Sequence, residues 1–170
     1  FMRRGELFTL QRWLEWLPEP LLMVHIRLCL YSVWTLLATG QWNSVEQRIQ
    51  HIELHLTDLS EGENAYLLSG LLSARAALAY AHGNTSYAIT LSLQALEQVA
   101  PDDFARRSFI TLHLGMAYWL EGDIPNALAT MIRARDESQF ANAHYSMQVA
   151  IYSLAQLQFI QGQLNQAHQT

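Results

Sequence analysis

The sequence predicts an all-α fold built from helical hairpins that repeat about every 40 residues. Four similar turns each contain a glycine, and these glycines are separated by 43, 39 and 40 residues. They are Gly40, Gly83, Gly122 and Gly162. A small or β-branched residue follows each glycine after five positions, namely Val45, Ala88, Ala127 and Ala167. Apolar residues also recur at helical spacing on both sides of the turns. This self-similarity is typical of a solenoid, in which each hairpin buries its apolar face by stacking on its neighbours.

The clearest hairpin spans Leu114 to Ala134. Gly122 suits a left-handed C-cap, Asp123 suits the N-cap of the next helix, and Pro125 is tolerated only in a first turn. Small and apolar residues lie at helical spacing before and after this turn, where two helix backbones would approach closely. They are Leu114, Gly115 and Tyr118, then Ala127, Met131 and Ala134.

The other elements follow from periodicity and from stop signals. The predicted helices are Gly5 to Leu17, stopped by Pro18 and Pro20; Leu21 to Thr39; Trp42 to about Asp58; Asn64 to Ala81; Thr85 to Val99; Asp102 or Asp103 to about Glu121; the second half of the Gly122 hairpin; about Ala141 to Ile160; and Gln163 onward. Ser60 and Glu63 have the spacing of a capping box. We expect about eight helices in a single domain over residues 1–170. The chain starts at Phe1 and stops inside the last hairpin, so we expect a fragment of a longer protein.

Composition excludes several classes of protein. The chain is 51% hydrophobic and 15% charged, which is typical of a folded domain and not of a disordered segment. It has ten Arg, no Lys and fifteen acidic residues, and the net charge of -5 offers no electrostatic footprint for nucleic acid. The single cysteine, Cys29, excludes an internal disulfide and favours a reducing, cytoplasmic location. Leu21 to Ala38 is apolar but interrupted by His25 and Arg27, so we expect a buried helix and no membrane span.

The third repeat resembles the tetratricopeptide class. Its matching residues are Leu114, Gly115, Tyr118, Ala127 and Ala134, while Thr111 stands where that class usually has Trp. The other repeats match less well, and a period near 40 exceeds the 34 residues of that class. The resemblance implies a right-handed superhelix of tetratricopeptide-like hairpins.

A narrower resemblance accounts for the longer period. Residues 5–18 (GELFTLQRWLEWLP), 75–84 (RAALAYAHGN) and 114–118 (LGMAY) resemble the helical-repeat sensor region of large MalT-like transcription regulators of the LuxR family. That resemblance implies a bacterial activator with an upstream nucleotide-binding module and a downstream helix-turn-helix. Neither module is in this chain, because it has no G-x-x-x-x-G-K-[ST] loop and no Lys to complete one. DNA would be bound only through a domain absent from this chain.

Helix phase predicts a candidate binding surface on the first helix of each hairpin. The face that would line the concave side of the superhelix is aromatic, with scattered polar groups. Its candidate binding residues are Trp34, Ser73, Tyr80, Met116, Trp119, Tyr152 and Gln156. Such a surface suits stacking of a planar ligand that a few polar groups orient. The alternative is that these aromatic side chains only pack between adjacent repeats. The face offers Arg27 as its only cation, which disfavours a clamp for a peptide carboxylate.

Other clusters have simpler explanations. His51 and His55 share a helix face, but two His without a third ligand do not predict a metal site. Arg75 should pair with an acidic residue, with Glu97 and Glu63 as candidate partners. Arg106 and Arg107 fit a solvated helix start better than a contact with an acidic partner. No nucleophile, base and oxyanion set assembles, so we expect neither an enzyme nor a bound cofactor.

Two functions therefore remain open. The first is a sensor and interaction segment of a MalT-like activator, whose superhelix binds a small-molecule inducer or a protein partner and shifts the full protein toward its active assembly. The second is a general tetratricopeptide scaffold for a partner's peptide or helix. Exposed apolar ends would also permit self-association of the fragment.

Overall fold

A computed structural model describes residues 7–56 and 61–170, and within those ranges it contains ten helices and no strand. The helices are α1 Leu7–Glu15, α2 Glu19–Val24, α3 Ile26–Ala38, α4 Trp42–Leu54, α5 Glu61–Ala81, α6 Thr85–Glu97, α7 Phe104–Glu121, α8 Ile124–Ala141, α9 His144–Ile160 and α10 Leu164–Gln169. The all-α hairpin fold is confirmed, while the expected number of about eight helices is too low. The handedness of the superhelix and the single domain stay predictions. Ser60, in the predicted capping box, lies outside the described residues.

All four predicted glycine turns are confirmed. Gly40, Gly83, Gly122 and Gly162 have φ angles of 71°, 77°, 86° and 74°, in the left-handed region where an added Cβ is strained. Each lies between the two helices of a hairpin. The sequence spacing therefore located every hairpin turn.

Side-chain caps start three of the helices. Asp123 Oδ1 accepts a hydrogen bond from the backbone N–H of Asn126 at 3.2 Å, and Pro125 lies in the first turn of α8, both as predicted. Asp103 Oδ1 accepts from Arg106 N at 3.2 Å, and Asn84 Oδ1 accepts from Tyr87 N at 3.3 Å. Each cap satisfies a backbone donor that a helix start leaves unpaired.

The predicted helix from Leu21 to Thr39 is interrupted at His25. This residue has φ −97° and ψ 87°, so α2 ends at Val24 and α3 starts at Ile26. A ring nitrogen of His51, on α4, lies 2.9 Å from the carbonyl oxygen of Met23 and donates to it. A side chain that takes a carbonyl out of the helical ladder is a known cause of such a break.

The turn between α8 and α9 lies at Asn142. Asn142 has φ 50° and ψ 39°, so α8 ends there and α9 starts at His144 instead of near Ala141. Among non-glycine residues Asn tolerates this left-handed conformation well, because its side chain can bond locally. The predicted start near Ala141 is therefore slightly early, because no glycine marks this turn.

The hairpins stack along the chain. We call α3, α5, α7 and α9 the first helices and α4, α6, α8 and α10 the second helices. Consecutive first helices pack on one another, and each first helix packs on its own second helix. Val45, Ala88 and Ala127 are buried, which confirms that small or β-branched residues five positions after the glycine allow close approach. The core forms three apolar clusters that join neighbouring hairpins, as a solenoid requires.

A buried ionic network holds α7 against α8. The carboxylate of Glu137, whose side chain is only 10% exposed, accepts from Thr111 Oγ1 at 2.7 Å and from Arg133 Nε at 2.9 Å. It also accepts from Arg107 Nε at 3.3 Å. Arg107 is therefore only 16% exposed and is paired, so a solvated helix start was the wrong interpretation of this residue. Thr111, which replaces the usual Trp, has a partner here.

Arg75 is half-buried and pairs with an acidic residue, as expected, but its partner is not the predicted Glu97; the side chain of Glu63, the other candidate, lies outside the described residues. Its Nε and Nη2 donate to the two carboxylate oxygens of Glu53 at 2.9 Å and 3.0 Å, instead of reaching Glu97. Glu46 lies 3.8 Å away. Both carboxylates come from the preceding second helix, α4, so the pair ties adjacent repeats together. In the portion of the chain that the structure describes, no helix has the length and apolarity needed to span a membrane.

Candidate functional site

A pocket of about 560 Å³ lies where the first helices come together. We call it the first-helix pocket. Its lining comes from α1, α3, α5, α7 and the start of α9, with no contribution from α4, α6, α8 or α10. The residues that define it chemically are Tyr31, Trp34, Tyr66, Ser69, Ser73, Arg106, Phe109 and Ser146. A volume of this size is typical of small-molecule sites.

One wall of the pocket is aromatic. The ring of Trp34 meets the ring of Phe109 nearly at right angles, with centroids 4.8 Å apart. The imidazole of His113 lies behind them, 4.4 Å from Phe109 and 6.1 Å from Trp34. This ring pair connects α3 to α7. Edge-to-face contacts of this kind fix the orientation of both rings.

The opposite wall is built around Tyr66. The guanidinium groups of Arg106 and Arg27 lie 4.7 Å and 5.2 Å from the centre of its ring, within cation–π range. Its hydroxyl lies 3.0 Å from the hydroxyl of Tyr31. Burial, helped by the Tyr31 hydrogen bond, raises the pKa of Tyr66 to about 12, so the phenol stays neutral. This wall therefore places two guanidinium groups beside a neutral, partly buried phenol.

Hydroxyl groups complete the lining. Ser69 Oγ donates to the carbonyl oxygen of Tyr66 at 2.9 Å, and Ser73 Oγ donates to that of Ser69 at 2.6 Å. Their hydroxyl protons are thus committed within α5, and their oxygens can still accept from a ligand. Ser146 reaches the same pocket from α9. The site combines aromatic surface with few, fixed polar groups.

The structure brings two of the seven predicted binding residues together. Trp34 and Ser73 both line the first-helix pocket. Met116 and Trp119 lie nearer the hairpin turn. They pack against the apolar cluster that contains Leu112, Met131 and Leu154, as expected if these side chains only pack between repeats. Tyr80 is half-buried outside the pocket.

The remaining two predicted residues, Tyr152 and Gln156, lie in a separate groove. It is formed by α9 and α10, measures about 540 Å³ and includes Phe159 and His168. Gln156 Nε2 donates to the Tyr152 hydroxyl at 2.8 Å. We call this the C-terminal groove. The predicted residues are thus divided between the first-helix pocket and the C-terminal groove and do not line one continuous groove.

Sequence reasoning missed two residues that lie earlier on the same helix faces. Tyr66 precedes the predicted Ser73 by seven positions. Met116 follows Phe109 by seven and Arg106 lies three before Phe109, so the same helical spacing would have found both Tyr66 and Arg106. The assumption that Arg27 is the only cation near this face was wrong, because Arg106 lines the pocket. Arg106 was mistaken for part of a solvated helix start, although its side chain is only 33% exposed.

The two candidate metal-binding His residues have other partners. His51 donates to Met23, and His55 Nδ1 donates to the carbonyl oxygen of His51 at 2.8 Å. Their rings lie 4.5 Å apart. Across residues 7–56 and 61–170, no group of three or more His, Cys, Asp or Glu side chains could hold a metal ion.

Stacked antiparallel helical hairpins, with a pocket on the first-helix side, define a tetratricopeptide-like repeat protein. The family described as the MalT-like TPR region matches residues 71–170, which is more than half of the chain. The chain belongs to this family. No solved structure matches it.

The wall of the pocket should make stability pH-dependent through His113. Burial lowers the pKa of His113 below its usual 6.5, and the hydrogen bond from Nδ1 to the carbonyl oxygen of Phe109 opposes only part of this shift. The unfolded chain then binds the proton more readily, so stability falls as pH drops from 6.5 toward the folded-state pKa and is unaffected by His113 above 6.5. Each unit by which folding lowers this pKa changes the free energy of unfolding by up to about 1.4 kcal/mol.

Urea unfolding of the wild type and of His113→Gln at pH 7.5 and 5.5 measures this effect. We expect the wild type to lose more stability between the two pH values than the variant does. The other six His residues are common to both proteins. Equal losses would show that His113 does not resist protonation.

Proposed function

We propose that this chain is a non-catalytic, ligand-sensing segment of a MalT-like transcription regulator of the LuxR family, acting in the bacterial cytoplasm. The observation that supports this most is the first-helix pocket, because it is lined jointly by four first helices and α1. A ligand that fills it contacts several repeats at once. Its binding therefore favours one arrangement of the repeat stack over others, and the differential affinity shifts the conformational equilibrium.

The lining supports a small molecule more than a long peptide. Trp34 and Phe109 offer flat apolar surface, while the hydroxyl groups of Ser69, Ser73 and Ser146 can orient a ligand. Many ligand sites have this composition, with apolar walls and a few placed polar groups. Membership in the MalT-like TPR family agrees with a sensing or interaction role. DNA binding and nucleotide hydrolysis would belong to other parts of the regulator.

The second candidate is a scaffold that binds a partner's helix. It is favoured by the C-terminal groove, whose Tyr152, Phe159, Ile160 and Leu164 are more than half exposed. An apolar groove between two helices can accept an amphipathic helix. The same surface would serve self-association of the fragment.

A thermal-shift screen tests the leading proposal. The wild type is screened against mono- and oligosaccharides, nucleotides, amino acids and organic acids, and any stabilising compound is re-tested on Trp34→Ala. We expect the shift to disappear or fall by at least half, because the variant loses the stacking wall and its contact with Phe109. Trp34 also packs against the core of the first repeat, so the melting temperature of the unliganded variant is measured alongside.

Phe140→Ala and Tyr152→Ala are the matched controls. Phe140 is 75% exposed on α8, away from both concavities, and Tyr152 belongs to the C-terminal groove. Both variants should keep the full ligand-induced shift. A shift that survives Trp34→Ala but is lost in Tyr152→Ala would overturn the first-helix pocket as the sensing site and move the function to the groove.

A further inference from the structure

We propose that the ligand of the first-helix pocket is planar and carries one negative charge, such as an aromatic carboxylate. The ring would lie against Trp34 and Phe109, and Arg106 would bind the anion. This inference deepens the proposed function and rests on it. It follows from the position of Arg106 in the pocket and from the donors that this side chain has left.

Arg106 has donors left for a ligand. Its Nε donates to Asp103 Oδ2 at 2.5 Å, and its Nη1 donates weakly to Ser69 Oγ at 3.4 Å. No hydrogen bond joins its Nη2 to any residue that the structure describes. A guanidinium has five N–H donors, so its terminal edge can bind a carboxylate in a bidentate fashion. The side chain is 33% exposed, and it lines the pocket.

The charges near Tyr66 favour an anion over a cation. Two guanidinium groups flank this ring, whereas Asp103 is the one acidic side chain among the described pocket lining. The Asp103 carboxylate also accepts from the backbone N–H of Arg106 as the cap of α7, so its charge is shared between the helix start and the guanidinium. A cationic ligand would meet the guanidinium of Arg106, which lines the pocket, and would be repelled by it.

The apolar groups around Arg106 strengthen the preference. Leu30, Trp34, Phe109 and Ile110 supply apolar lining, and Tyr66 beside them is partly buried. A charge-assisted hydrogen bond is stronger where water is excluded. The C-terminal groove, by contrast, is lined by His168 and no arginine, so it should not discriminate by charge.

Isothermal titration calorimetry with indole-3-acetate and indole-3-acetamide tests the inference. These probes share one ring system and differ in charge. We expect the acetate to bind wild type at least fivefold more tightly than the acetamide, and Arg106→Gln to weaken the acetate about tenfold while leaving the acetamide nearly unchanged. Arg106→Lys keeps the positive charge but loses the planar guanidinium. We therefore expect it to bind the acetate with an affinity between those of the wild type and Arg106→Gln.

Arg135→Gln is the matched control. Arg135 has a similar exposure of 40%, pairs with Asp136 on α8 and lies outside both concavities, so this variant should bind like the wild type. Melting temperatures of the unliganded variants show whether each one is folded.

The outcomes separate the two proposals. Equal affinity for both probes, or acetate binding that is unchanged in folded Arg106→Gln, would overturn the anion inference and leave the pocket as a ligand site. Binding of neither probe at millimolar concentration, together with no hit in the thermal-shift screen, would overturn the pocket itself and this inference with it. A hit that is cationic and needs Trp34 would also overturn the anion inference alone.

Discussion

Glu137→Ala is expected to destabilise the chain by about 3–5 kcal/mol. The variant removes the acceptor of three hydrogen bonds and leaves Arg107, whose side chain is only 16% exposed, without its carboxylate. An uncompensated buried charge costs far more than the pair itself contributes, because desolvation is no longer offset. The network lies between α7 and α8, so the hairpin of the third repeat should be weakened most.

Urea unfolding followed by circular dichroism measures this loss. Asp136→Ala is the control, since Asp136 is the adjacent residue, is 47% exposed and pairs only with its neighbour Arg135 among the described residues. An exposed pair of this kind is worth at most about 1 kcal/mol. Similar losses for the two variants would show that burial of Glu137 does not govern the stability of this hairpin.

Leu154→Ala is expected to lower the free energy of unfolding by about 2–5 kcal/mol. Leu154 lies on α9, is fully buried, and packs in one cluster with Met131 of α8 and Leu112 of α7. The truncation therefore leaves a cavity at the interface between the third and fourth repeats. In a solenoid, stability is close to a sum of repeat and nearest-neighbour terms, so the damage should be local.

Hydrogen exchange monitored by mass spectrometry tests that locality. Leu154→Ala should lower protection in α8 and α9 and leave α4 close to wild type. Phe159→Ala, on the same helix but 66% exposed, should change stability by less than about 1 kcal/mol. A uniform loss of protection from α3 to α9 would contradict a repeat architecture with nearest-neighbour coupling.

The sequence predicted the hairpins well because their turns depend on local chemistry. A left-handed glycine, a capping Asp and a first-turn Pro act within a few residues of themselves, so Gly122, Asp123 and Pro125 could be assigned without knowledge of distant contacts. The break at His25 could not, because the contact that accompanies it comes from His51, on another helix. The turn at Asn142 also depends on local chemistry, but here Asn adopts the left-handed conformation that glycine adopts in the other turns.

The candidate site was predicted only in part for a related reason. Helix phase placed Trp34 and Ser73 on one face, and both line the first-helix pocket. It does not show where along that face a cavity opens, which depends on how α1 and the start of α9 approach the stack. Arg106 was missed because charged pairs at helix starts usually face solvent, whereas here α5 places Tyr66 over the guanidinium.

The central claim is that a ligand binds where the first helices meet. The most direct test is hydrogen exchange with and without the compound that gives the largest thermal shift. We expect added protection in α3, in the first half of α5 around Tyr66, and in the first half of α7 around Arg106. Protection confined to α9 and α10, with no change around Trp34, would contradict it and place binding in the C-terminal groove.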